Sequence, residues 1–77
     1  MSIKIRYFAS LKESLGRSED SLVATDLLSV REVWQRVNTA QSLPSNTLAA
    51  VNMDYVDFEY IVQDGDEVAF FPPVTGG

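Results

Sequence analysis

The sequence predicts an α+β fold in which a mixed sheet packs on one main helix. Three observations carry that expectation. A strand-like alternation opens the chain at "IKIRYF", a well-capped amphipathic helix occupies the middle, and an apolar run, "EVAFF", stops at two prolines near the C-terminus. With 77 residues there is room for one modest core and one domain. A hydrophobic content of 45% with 22% charged residues is that of a folded chain, not a disordered one.

Each element has its own local cause. In "IKIRYF", Ile3, Ile5 and Tyr7 alternate with Lys4, Arg6 and Phe8, the period of a half-buried strand. "ASLKESLG" sets Leu11 and Leu15 one helical turn apart, with Gly16 positioned to end a short helix. "EDSLVA" is a weaker strand and the expected partner of the first. The best-marked helix starts at Ser29. Ser29 and Glu32 have the spacing of a capping box, and Leu28 and Val33 that of a hydrophobic staple. Val30, Val33, Trp34 and Val37 then fall at i, i+3, i+4 and i+7, with Arg31, Glu32, Gln35 and Arg36 on the other side. Pro44 rules out continuation, and Trp34 is the expected central packing residue. "TLAAVN" reads as a short strand whose small residues suit a buried central position. "NMDY" is a turn, and Tyr55 and Val56 add a brief strand. In "QDGDE", Gly65 supplies the positive φ that a tight turn demands. "EVAFF" is the final strand, halted because neither Pro72 nor Pro73 can donate to a sheet ladder. The order strand, short helix, strand, helix, strand, short strand, strand fits a roll of the β-grasp type over residues 1–71, followed by an extended tail, 72–77.

Composition excludes several functions. No cysteine is present, so thiolate nucleophiles, thiolate metal sites and disulfides are ruled out. No histidine is present either, which removes the commonest general base near neutral pH. The net charge of −5, with Lys4, Arg6, Lys12, Arg17, Arg31 and Arg36 scattered, argues against nucleic acid as a partner. No apolar run approaches a membrane span, and "SIKIRYF" follows Met1 without a secretory pattern, so no membrane partner and a cytoplasmic location are expected. Asp54, Asp57, Glu59, Asp64, Asp66 and Glu67 do not follow the EF-hand spacing. They read as a solvated acidic face able to steer docking to basic partners, and no metal is expected.

The distinctive stretch is the last one, "FFPPVTGG". Pro72 and Pro73 fix φ and favour an extended backbone, so the chain leaves the sheet straight. Fully extended, residues 72–77 reach about 20 Å, enough to enter a deep pocket on another protein. Gly76 and Gly77 lack a Cβ, so their backbone passes through a channel too narrow for other residues, and the terminal carboxylate is left unhindered. A carboxylate becomes a good acyl donor once ATP converts it to an acyl-adenylate. A diglycine alone also occurs in frayed ends; here it is joined to a stiff spacer that follows a strand directly.

"DGDEVAFFPPVTGG" closely resembles the C-terminus of the MoaD family, the small sulfur-carrier subunits of molybdopterin synthase. "LAAVN", the "YFA" opening and the length extend the resemblance over the chain. It implies a ubiquitin-like β-grasp fold. It also implies that Gly77 is adenylated by a partner resembling the ubiquitin-activating enzymes, at the expense of ATP, and becomes a thiocarboxylate. The loaded tail, with Gly76, Val74 and Thr75, would then enter the large synthase subunit and give its sulfur to a pterin precursor. Two small and two large subunits would form a heterotetramer, with catalytic side chains on the large subunit and no cofactor on this chain. Phe8, Tyr55 and Phe71 match the family's apolar contact patch, next to Pro72 and Pro73. Tyr55 stands where the family more often has an aliphatic residue. "DFEYIVQ" replaces a commoner run containing proline and leucine, a departure that bears on loop geometry and not on the tail. A sulfur carrier for thiamine or another thiolation pathway, a ubiquitin-like modifier joined to lysines, and an interaction domain with an inert tail share many of these features.

Overall fold

The opening alternation becomes β1 (Ile3–Tyr7), with Ile3, Ile5 and Tyr7 buried and Lys4 and Arg6 exposed. The computed structural model describes residues 2–23 and 26–73. Helix α1 (Ala9–Leu15) buries Leu11 and ends at Gly16, whose φ of 74° lets its amide donate to the Lys12 carbonyl at 3.0 Å. Strand β2 (Glu19–Leu22) runs antiparallel to β1, as expected. A two-residue strand, β3 (Leu28–Ser29), leads into α2 (Val30–Val37). The capping box is complete: the Glu32 amide donates to Ser29 Oγ at 3.1 Å, and the Ser29 amide donates to Glu32 Oε1 at 2.9 Å. After α2 come β4 (Leu48–Val51), β5 (Asp54–Val56), β6 (Ile61–Val62) and β7 (Glu67–Phe71).

The main sheet has the order β2-β1-β7-β4-β5, and β1 with β7 is its parallel pair. The C-terminal strand is therefore central. Strand β4, expected at a buried central position, lies between β7 and the edge strand β5. It is thus an interior strand, paired on both sides, but its burial is one-sided: Ala49 and Val51 are buried, whereas Leu48 is exposed and Ala50 half-buried. The small residues thus face both sides of a sheet covered on one side only.

Strands β3 and β6 form a separate two-stranded sheet that local periodicity does not reveal. Its place has a backbone reason. The first amides of a helix have no partner within it. The Val30 amide donates to the Tyr60 carbonyl at 2.9 Å, and the Arg31 amide to the Phe58 carbonyl at 3.0 Å. The segment "DFEYIVQ" therefore supplies acceptors for the start of α2.

Trp34 takes the central position expected of it. Its ring meets Tyr7 and Phe70 edge-on, with centroids 5.9 and 5.1 Å away, and Tyr7 stacks on Phe70 at 6.2 Å. The indole N–H donates to the Gln41 carbonyl at 2.9 Å. The Tyr7 hydroxyl donates to Asp20 Oδ2 at 2.9 Å and accepts from Asn38 Nδ2 at 3.1 Å. Burial pushes this hydroxyl's pKa up, so it remains a donor. Arg17 completes the group through Asp20 Oδ2 at 2.6 Å, the Val37 carbonyl at 3.2 Å and Asn38. These bonds tie the β1–β2 edge to the C-terminal end of α2.

Two predictions follow from local geometry. The β4–β5 turn places Asn52 and Met53 at φ of 51° and 73°, the left-handed pair of a type I′ hairpin. Met53 is 93% exposed, so its side chain contributes little. Met53→Gly should raise stability by roughly 0.5–1 kcal/mol in chemical denaturation, the left-handed cost less the extra entropy that glycine loses. The second concerns Glu32, whose carboxyl is held below its ordinary pKa, first by the Ser29 amide and then by the Ser29 side chain. A depressed folded pKa adds stability that is complete above the unfolded value and is lost as pH falls through the folded value. The stability advantage of the wild type over Glu32→Gln should be present at neutral pH and disappear on acidification through the carboxylate range.

Candidate docking face at the root of the tail

Alternation in β7 sends Val68 and Phe70 into the core and leaves Ala69 and Phe71 on the opposite face of the sheet. Phe71, the last residue of β7, is half-buried, and what covers it is a side chain: the Tyr55 ring packs on it with centroids 5.6 Å apart and planes at 62°. Tyr55 reaches it from the edge strand and is itself 76% exposed.

Phe8 arrives from the other side. The register that aligns Tyr7 with Phe70 carries Phe8 alongside Phe71, and the Phe8 amide donates to the Phe70 carbonyl at 3.1 Å. Ala9, at a φ of 54°, turns the chain abruptly into α1 and leaves the Phe8 ring 43% exposed. The Arg6 guanidinium lies 5.8 Å from the centre of that ring and pairs with Glu67 at 3.8 Å. Phe8, Tyr55 and Phe71 are thus brought to one face of one sheet, next to the half-buried Pro72 and Pro73. Val74, Thr75, Gly76 and Gly77 lie outside the described residues.

One member of this face escaped the sequence reading. Leu48 stands directly opposite Phe71 in the β4–β7 register and is 40% exposed. The available signal was the alternation in "LAAV", which separates Leu48 and Ala50 from Ala49 and Val51; it becomes informative only once β4 is known to have one covered side.

The acidic residues have structural roles in part. Asp66 Oδ2 accepts from the Gln63 amide at 2.9 Å, closing the turn at Gly65, and Asp57 Oδ1 accepts from the Glu59 amide at 2.9 Å. Among the described residues no three of His, Cys, Asp and Glu gather as a metal would require, and no helix is long and apolar enough to cross a membrane.

Comparison with known proteins bears on the family and the fold. The ThiS family model matches residues 5–77. The chain belongs to the ThiS family. Among its relatives, the molybdopterin synthase sulfur carrier subunit of Escherichia coli (strain K12) is 43% identical over 82 residues, covering 97% of this chain and 99% of the relative. The protein of the same name from Chlamydomonas reinhardtii is 31% identical, with both chains fully covered. Among solved structures, the crystal structure of SAMP1 from Haloferax volcanii superposes with a TM-score of 0.82 over the whole of both chains. At 22% identity this likeness concerns the fold, which is the ubiquitin-like β-grasp. A chain from the complex of subunits 1 and 2 of the molybdopterin-converting factor of Helicobacter pylori 26695 matches with a TM-score of 0.68 and 26% identity over both full lengths.

Proposed function

We propose that this ThiS-family chain is the sulfur carrier of a molybdopterin synthase, working through its C-terminal carboxylate. The observation that carries the reading is near end-to-end similarity, at 43% identity, to a relative of that name. The exposed aromatic face where the tail begins supports it, since exposed aromatics anchor partners that cover them. The relative from H. pylori, described as one of two subunits in a complex, supports a large synthase subunit as the partner.

In this reading the Gly77 carboxylate attacks the α-phosphorus of ATP on an activating partner and pyrophosphate leaves. A sulfur donor then displaces AMP, so that one sulfur replaces one oxygen. Gly76 and Gly77 pass the narrow approach to the large subunit's active site, and Pro72, Pro73, Val74 and Thr75 span the distance from the domain. There the sulfur passes to a pterin precursor, water supplies the oxygen that replaces it on the acyl carbon, and the chain departs with a carboxylate again. Phe8, Tyr55 and Phe71 hold the large subunit at the root of the tail. Two copies of each subunit form the assembly, in the cytoplasm. The chain contributes no catalytic side chain and binds no cofactor of its own; a sequence without cysteine or histidine suits that division.

Intact mass after incubation with the activating enzyme, ATP and a sulfur donor tests the reading. The full chain should exchange one oxygen for sulfur, and a chain lacking Gly77 should remain unloaded while keeping its thermal transition. A branched conjugate would identify a modifier, and an unchanged mass an inert tail. Phe71→Arg, which places an unpaired charge in the contact, should weaken binding to the large subunit by about 2–4 kcal/mol in calorimetry. Unchanged affinity would remove Phe71 from the interface.

A further inference from the structure

We infer that Leu48 is a further anchor for the large subunit, filling the contact on β4 between Phe71 of β7 and Tyr55 of β5. The inference rests on the proposed function and adds a residue to it. Single exposed leucines are ordinary on protein surfaces and need no partner. Leu48 is not single. The β4–β7 register sets it directly across from Phe71, and on the other side Phe8 follows the last β1–β7 pair, Tyr7 with Phe70, its amide donating to the Phe70 carbonyl. Leu48 of β4, Phe71 of β7 and Phe8, which follows β1, therefore lie side by side at the end of β7 that Pro72 follows. Tyr55 closes the row on the edge-strand side by packing on Phe71.

Exposure within the row follows a pattern. Leu48 and Phe8 are 40% and 43% exposed, while Phe71 between them is half-buried. The flanking side chains thus retain apolar surface that a partner would cover. The occupant is fixed by continuity: a protein that receives the tail must approach the point where Pro72 leaves β7, and Leu48 borders that point. An anchor there would fix the tail's direction from both sides, so the row acts in positioning and not in chemistry.

The test uses the full chain and the large subunit in calorimetry. Leu48→Lys should raise Kd on the order of tenfold or more, and Leu48→Met should keep it near the wild-type value. In a cycle of Leu48→Ala and Phe71→Ala, the two effects should be non-additive, as expected for neighbours sharing one contact. Thermal melts establish that each variant folds; should Leu48→Lys unfold, Leu48→Ala takes its place with a smaller expected loss. A folded Leu48→Lys or Leu48→Ala chain that binds with wild-type Kd would overturn the inference while leaving the proposed function standing. A wild-type chain that does not bind the large subunit at all would remove the proposed function, and this inference with it.

Discussion

The parallel pairing of β1 with β7 is the constraint on which the remaining arrangement depends. Its register, from Lys4 with Glu67 to Tyr7 with Phe70, sets the C-terminal strand at the centre of the sheet, with β4 on its far side. A slip of one residue would turn Phe70 outward and Phe71 into the core, so the buried face resists any other register. The same register delivers Tyr7 and Phe70 to one another and to Trp34 of α2. Burial of each of these rings contributes on the order of 2–3 kcal/mol. The departure point of the tail is therefore held by the strongest part of the core.

From this follows a division between the two faces of the sheet. One is closed by α2 and carries Ile3, Ile5, Tyr7, Ala49, Val51, Val68 and Phe70. The polar group of Tyr7, Arg17, Asp20 and Asn38 closes that core at one end with its hydrogen bonds satisfied. The other face carries Phe8, Leu48, Tyr55 and Phe71, which the core does not use. Alternation along each strand produces both faces at once, so side chains on the outer one can change without disturbing the core.

Much of the fold was legible because its causes are local. The capping box at Ser29, the glycines at the end of α1 and in the "QDGDE" turn, the alternation of β1 and the prolines after β7 act over a few residues each. Strand order was not legible in the same way, since it depends on pairings between distant segments, and the parallel β1–β7 pair that puts β7 in the middle has no local signal. Two-residue strands such as β3 and β6 have no period to detect, and the role of residues 58–60 as acceptors for α2 arises from main-chain groups that carry no side-chain signature. At the candidate site, the alternation around Phe8 and Phe71 together with the family resemblance placed the aromatic members. Leu48 needed the register. The bonds from Arg17 to the Val37 carbonyl and to Asn38 lay equally out of reach, because they join segments far apart in the sequence.

The central claim is that the outer sheet face, where β7 gives way to the tail, is the surface that meets the large synthase subunit. Backbone amide shifts of the isotopically labelled chain, followed while that subunit is added, test it directly. The account predicts that the largest changes fall on Phe8, Leu48, Tyr55, Ala69 and Phe71, with the exposed side of α2 at Arg31, Gln35 and Arg36 unmoved. Changes centred on α2, with the β1, β4 and β7 positions silent, would contradict it.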